Sequence, residues 1–360
     1  MTLASTDDFS RVLGRRRARA AVLLSGSSAL LGVLMVVSAC SGALPISLQI
    51  TLEALWGGLS GQSARFDELH AIVWQLRLPR VLMAAIVGAS LGSSGAAMQG
   101  LFRNPLADPY LLGVASGASF GATLAMTLAG KLAAAFAEAP FASGSFANLV
   151  PVFAFAGALS AVLGTLFLSQ AGARAKPTSV LLAGVVVGSI LTALTTYLML
   201  RDADRLRAVF SWTLGNLSLS SWRDVERVLP YASVGFAGMY ALARGLDALQ
   251  LGEDTARTLG VRPRRVRSGV ILAASLSTAA AVSFVGVIGF VGLSAPHIMR
   301  RLGVLGHRGL LPAAAVGGAL LLVLADLGAR VLVRPAELPV GIVTTLIGGP
   351  FFLWLLRRQQ

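Results

Sequence analysis

Residues 268–303 read SGVILAASLSTAAAVSFVGVIGFVGLSAPHIMRRLG, with no charge before Arg300. One straight helix of that length would run about 54 Å at the normal α-helical rise, nearly twice the hydrocarbon thickness of a bilayer. Gly286, Gly289 and Gly292 lie in its middle and Pro296 follows, so a break is expected there. Two passes are predicted, 268–285 and 287–303. Working outward, apolar runs of spanning length cover about 20–41, 78–101, 110–130, 148–170, 178–200, 228–245, 309–330 and 338–357. The fold class is therefore all-α, a polytopic membrane protein of about ten transmembrane helices with both termini on one side.

Composition agrees with this. Of 360 residues, 55% are hydrophobic and 13% charged, with 30 Lys+Arg against 16 Asp+Glu and a net charge of +14. A soluble domain carries about 25% charged residues, and disorder requires low hydrophobicity. A nucleic-acid partner is not expected from a chain whose basic residues separate apolar runs. With the N-terminus inside, 19 of the 30 basic residues fall in inner segments, so the net charge divides into +13 inside and +1 outside. The positive-inside rule gives the same orientation from Lys and Arg alone. The expected layout is a basic cytoplasmic segment 1–19, a single transmembrane domain 20–357 and a cytoplasmic tail 358–360, in the cytoplasmic (inner) membrane. Arg15, Arg16, Arg17 and Arg19 before an apolar run ending at Cys40 also resemble a cleaved lipoprotein leader. The further apolar runs favour a first transmembrane helix. Cys40 is the only cysteine, so no internal disulfide is possible.

The largest inner loop is 246–267. Glu253 and Asp254 lead a short run that ends at Gly260, as a short helix prefers, and a second short element is expected from Pro263. The basic loop suits either a position near anionic lipid or docking of a cytoplasmic partner. Small-residue pairs recur at Gly88 and Gly92, at Gly113, Gly117 and Gly121, and at Gly184 and Gly188. This spacing lets helix backbones approach closely in lipid, within the chain or between two copies.

Several chemistries are missing from the sequence. No G-x-x-x-x-G-K-[ST] string exists, so no P-loop binds ATP here. His70, His297 and His307 are far apart and suggest no metal site, and no G-x-S-x-G elbow supports a hydrolase. No cofactor is expected. Asp326 and Arg330 lie four residues apart on one helix face and can pair. No convincing mid-membrane carboxylate supports an ion-coupled secondary transporter, which remains the alternative of another class; a membrane-embedded enzyme lacks a catalytic set. A chain with basic knobs and no motor of its own implies a separate motor protein.

Certain motifs are more specific. Arg77-Leu78-Pro79-Arg80 precedes the second span, which ends Met98-Gln99-Gly100-Leu101-Phe102-Arg103-Asn104-Pro105-Leu106-Ala107-Asp108-Pro109. Later come Phe210-Ser211-Trp212-Thr213-Leu214-Gly215-Asn216, Gly286-Val287-Ile288-Gly289-Phe290-Val291-Gly292, Ala295-Pro296-His297-Ile298-Met299-Arg300 and Glu337-Leu338-Pro339-Val340-Gly341. From about residue 70 to 357 the chain resembles the FecCD-type permease subunits of ABC importers for iron-siderophores, haem and cobalamin. The resemblance implies the type II importer permease fold and no ATPase site of its own. It implies as partners a second permease subunit (a homodimer or a close paralogue), two cytoplasmic P-loop ATPases and an extracytoplasmic substrate-binding protein. Iron chelate is the first choice of substrate, with haem and cobalamin as alternatives. Carried over by residue, Arg77, Arg80 and Arg330 correspond to outer arginines that pair with acids of the binding protein. Asn104, Thr178 and Ser179 correspond to the cytoplasmic gate; a hydroxyl after Pro177 also suits a helix N-cap. Gly252, Glu253, Asp254, Arg257, Gly260 and Arg264 correspond to the coupling helices that seat in the ATPase, and the loop 201–223 forms a charged outer rim.

Overall fold

The computed structural model describes residues 6–42, 44–62, 67–135, 149–169, 177–202, 206–333 and 336–357. Every regular element among them is helical. In chain order they are α1 (Thr6–Cys40), α2 (Leu48–Leu59), α3 (Glu68–Ala71), α4 (Leu78–Phe102), α5 (Val114–Ala135), α6 (Leu149–Ser169), α7 (Pro177–Arg201), α8 (Leu206–Thr213), α9 (Trp222–Ala241), α10 (Ala243–Gln250), α11 (Glu253–Thr258), α12 (Pro263–Val285), α13 (Val291–Arg301), α14 (His307–Val331) and α15 (Val340–Arg357). A π-helical turn, Ile72–Arg77, joins α3 to α4, and a 3-10 turn, Pro109–Leu112, precedes α5. Among the described residues, six segments are long and apolar enough to cross a membrane: Ala20–Cys40, Glu68–Phe102, Leu149–Ser169, Ser179–Arg201, Pro263–Val285 and His307–Val331. Val114–Leu128 and Val340–Leu353 are shorter apolar helices.

Elements stand at all ten expected positions, with three differences. The expected pass 287–303 is a helix only over Val291–Arg301, 11 residues. At about 16 Å it covers half of a hydrocarbon core. The expected pass 228–245 begins earlier, at Trp222, where Ser221 and Asp224 form a capping box. Its charged first turns, with Arg223, Asp224, Glu226 and Arg227, hid the true start from a hydropathy reading. The second short element expected from Pro263 is the first turn of α12 itself, with Pro263 at a position that needs no N–H.

The break between α12 and α13 falls where the glycines are. Gly286 has φ +77°, and a Cβ there would sit 2.0 Å from Trp212 O. Non-helical backbone at this depth must find partners inside the protein, and it does. Asn216 N–H donates to Val285 O at 2.7 Å. Tyr110 Oη donates to Ile288 O at 3.0 Å and accepts from Ile288 N–H at 3.3 Å. The 3-10 turn that carries Tyr110 is capped by Asp108, whose Oδ1 accepts from Tyr110 N–H at 2.8 Å.

Helices α4, α12 and α14 are largely buried, while α1 and α7 are almost wholly on the outside of the bundle. Among the described residues, α4 and α14 form the most extensive helix pair. A Cβ on Gly88 would lie 2.3 Å from Gly318 O, and one on Gly92 2.1 Å from Ala314 O. Gly117 and Gly121 do the same against Gly157 O and Phe153 O of α6, at 2.4 and 2.0 Å. Each of these contacts lies within the chain. Gly113 departs from the expected pattern: with φ +85° it ends the 3-10 turn, and a Cβ there would meet nothing closer than 3.6 Å. Its role is backbone conformation.

Replacement Gly92→Ala forces backbone apart and is expected to cost about 2 kcal/mol. Gly164 of α6 has nothing within 4 Å of a new Cβ, so Gly164→Ala is expected to be neutral or to gain up to about 1 kcal/mol from helix propensity. Thermal unfolding in detergent compares the two.

Candidate functional site

The functional residues expected from sequence fall at two opposite ends of the bundle. At one end, here the arginine end, α1 finishes beside the starts of α4 and α15 and the finish of α14. Arg77 Nη1 donates to Ala39 O and Cys40 O, both at 2.9 Å, and its Nη2 donates to Leu44 O. Arg330 Nη1 donates to Ser38 O at 3.0 Å and Ser41 O at 2.8 Å, and its Nη2 to Ser38 Oγ. Two guanidiniums thus bond carbonyls at the end of α1, where the helix dipole favours a cation. Arg80 Nε donates to Asp326 Oδ1 at 2.8 Å and its Nη1 to Glu337 Oε2 at 2.7 Å. Arg330 Nε lies 3.0 Å from Asp326 Oδ2, a charge pair without hydrogen-bond alignment.

The resemblance implied outer arginines that pair with acids of a binding protein. The structure differs: Arg77 and Arg80 are 8% exposed and Arg330 3%, and all three are engaged by groups of the chain itself. The reason is electrostatic. Asp326 is fully buried, and an ionised carboxylate without cations there would be costly. The nearest acid at the rim is Glu337, whose side chain is 38% exposed. Of the expected charged rim 201–223, Asp204 and Arg205 lie outside the described residues, while Arg201 and Arg207 are exposed.

At the other end, here the basic end, Asn104 closes α4. Its Oδ1 accepts from Leu106 N–H at 2.9 Å, next to Arg103, which takes the left-handed conformation at φ 49°. Thr178 and Ser179 stand in the first turn of α7; the Thr178 side chain lies outside the described residues. Helix α7 packs on the 3-10 turn, where a Cβ on Gly184 would sit 2.0 Å from Leu111 O.

The expected coupling residues form one protruding knob. Gly252 (φ +116°) and Gly260 (φ +78°) bracket α11, and both positive angles favour glycine. Ala256 anchors α11 in the core. Glu253 pairs with Arg267 of α12, and Arg257 pairs with Asp254 at 3.1 Å. Leu251 and Leu259 are 66% and 61% exposed, and Arg257, Arg262, Arg264 and Arg265 are exposed around them. Charge and exposed leucine together suit a protein surface better than a lipid face.

Beside the knob lies a cavity of about 340 Å³ lined by residues that include Gln99, Arg103, Asp247, Gln250, Arg300 and His307. In the sequence Asp247 belongs to no motif, Arg300 ends the Ala295–Arg300 motif, and His307 stands apart from the other two histidines. Arg300 Nη1 donates to Gln99 Oε1, and Asp247 bonds His307. Partial burial works against the Asp247 carboxylate, yet the hydrogen bonds from His307 hold it below the usual range. These pairs join residues 60 and 201 positions apart, so local sequence carries no signal of them. No group of three or more His, Cys, Asp or Glu suited to a metal is found among the described residues.

The FecCD transport family profile matches residues 30–358. The cobalamin import system permease protein BtuC of Halobacterium salinarum is 42% identical over 294 residues, covering 82% of this chain and 75% of that protein. The hemin transport system permease protein HmuU of Yersinia pestis is 39% identical over 334 residues, covering 91% and 94%. A solved structure of a metal-chelate type ABC transporter in an inward-facing conformation superposes with a TM-score of 0.77 at 30% identity, covering 93% of this chain and 98% of that one.

The arginine end yields a graded expectation. Asp326→Asn leaves Arg80 and Arg330 buried with too little opposing charge, and is expected to cost about 3 kcal/mol. Glu337→Gln at the rim is expected to cost about 1 kcal/mol or less. Thermal unfolding of the purified variants in detergent compares them.

Proposed function

This chain belongs to the FecCD transport family, and from that premise we propose that it is the permease subunit of an ABC importer that carries an iron chelate across the cytoplasmic membrane. The observation that carries the reading is the profile match over nearly the whole chain, with relatives named as permeases. Among these are an Fe(3+)-citrate import permease of Bacillus subtilis, 35% identical over 346 residues, and the hemin permease above. The cobalamin relative, at 42% identity, keeps cobalamin and haem as alternative cargoes. The chain is a multi-pass membrane protein; its orientation, with both termini and the basic end in the cytoplasm, rests on the distribution of Lys and Arg.

In this reading the permease performs no covalent chemistry. Two P-loop ATPases bind the knobs of two permease copies, or of one copy and a close paralogue. The exposed surface of α11 and the first turn of α12 supports this: Leu251, Leu259, Arg257 and Arg264 offer apolar and charged contacts together. Asn104, Thr178 and Ser179 form the cytoplasmic gate, closing the path with short polar groups. An extracytoplasmic binding protein docks at the arginine end. Because Arg80 is engaged internally, an acid of that protein would have to exchange with Glu337, the most exposed partner in the cluster. Transport follows as alternating access, in which nucleotide-loaded partners favour one of two shapes.

Reconstitution tests this. With a cognate ATPase and binding protein in proteoliposomes, uptake of a ferric chelate, haem or cobalamin is expected to require ATP and to ignore proton and sodium gradients. Uptake by the chain alone under an ion gradient would contradict the proposal and favour a secondary transporter.

A further inference from the structure

The segment that leads into the knob is fastened to the bundle by polar contacts that the proposed function leaves unused. Helix α10 buries Ala243, Leu246 and Leu249. Gln250 Nε2 donates to Gly100 O of α4 at 2.6 Å, and Arg103, just past α4, donates to Leu249 O. Asp247 reaches α14 instead. Its Oδ1 accepts from the His307 backbone N–H at 2.9 Å and from the ring Nδ1 at 2.6 Å.

The backbone contact is unusual in its source. His307 is the first residue of α14, and the N-cap position is Gly306, with φ +78° and no side chain to offer. A carboxylate on another helix therefore does the work that a helix normally assigns to its own N-cap, at the end where the dipole favours an anion. The imidazole is held on its far side as well. A Cβ on Gly100 would lie 2.0 Å from Nε2, so the ring rests directly on α4 backbone. Helices α4, α10 and α14 meet at this one side chain with little room for slip.

Only Leu251 and Gly252 separate α10 from α11. Displacement of the knob can enter the bundle by two routes. One runs through the Glu253–Arg267 pair into α12. The other runs back along α10 and ends at Asp247. We propose that Asp247 is a positioning residue for energy coupling, passing displacement of the knob to α14 and so to the α4–α14 pair. The inference rests on the reading of this chain as an importer permease.

The test uses the complete importer in proteoliposomes and reads cargo accumulated per ATP hydrolysed. The cargo is whichever of ferric hydroxamate, haem or cobalamin the wild type accumulates. Asp247→Ala is expected to lower this ratio about tenfold, the loss of one charge-assisted hydrogen bond expressed in coupling. Asp247→Asn is expected to retain most of it, because Asn caps a helix about as well as Asp. A fold-stabilising role alone would lower the amount of complex and leave the ratio untouched, so an unchanged ratio in Asp247→Ala overturns the inference. If Asp247→Ala fails to assemble, Gln250→Leu loosens the same seat from the α4 side and is judged by the same ratio. Failure of the underlying reading looks different: the wild type itself would show no ATP-driven uptake.

Discussion

The backbone of α4 lies directly on the backbone of α14, and most of what is distinctive in this bundle is arranged around that contact. Gly88 and Gly92 face Ala314 and Gly318 with no space for a Cβ at either glycine. In lipid there is little hydrophobic gain from bringing two apolar helices together, so association depends on close van der Waals approach. Weak Cα–H···O contacts accompany such an approach. Leucines at these positions would keep the helices apart. Small residues bring them together and leave the polar contacts at the two ends in reach of each other.

Those end contacts differ in kind. At the arginine end, the fully buried Asp326 of α14 draws in Arg80 of α4, and Arg330 continues from the same pair to the end of α1. At the basic end, His307 of α14 rests on Gly100 of α4 and is held by Asp247. In the proposed reading, a post made this way links the arginine end to the knob. The half-length α13 and the break before it lie alongside, with Gly95 of α4 against Gly292. The break is kept stable because Tyr110 and Asn216 supply the hydrogen bonds that the interrupted helix gives up.

The sequence was informative where the physics is local. Hydropathy located elements at all ten positions, the glycines of 286–292 marked the break, and Glu253 with Gly260 marked α11. It misjudged α13 because composition does not say how much of an apolar run is helical: Val287 to Phe290 are as apolar as a span yet serve as connecting backbone. It missed the start of α9, whose charged first turns lower the hydropathy. At the arginine end Arg77 and Arg80 stood out in their motif, and Asp326 with Arg330 was read as a pair. Their burial was not visible, because it depends on α1 folding back over α4 and α14. The Asp247–His307 and Gln99–Arg300 contacts were out of reach for the same reason, since each needs the tertiary fold to become neighbours.

The rigidity of the α4–α14 pair is the claim on which the rest stands, and one distance measurement tests it. Spin labels at Leu76, on the turn leading into α4, and at Leu324 of α14 sit on exposed side chains, 62% and 51%. Their separation can be followed by pulsed electron resonance in the assembled importer, without nucleotide and with ATP trapped. A change of less than about 2 Å, the scale of ordinary helix adjustment, is expected while uptake proceeds. A shift of several ångströms between the two states would mean that α4 and α14 slide past one another, and would contradict a rigid post.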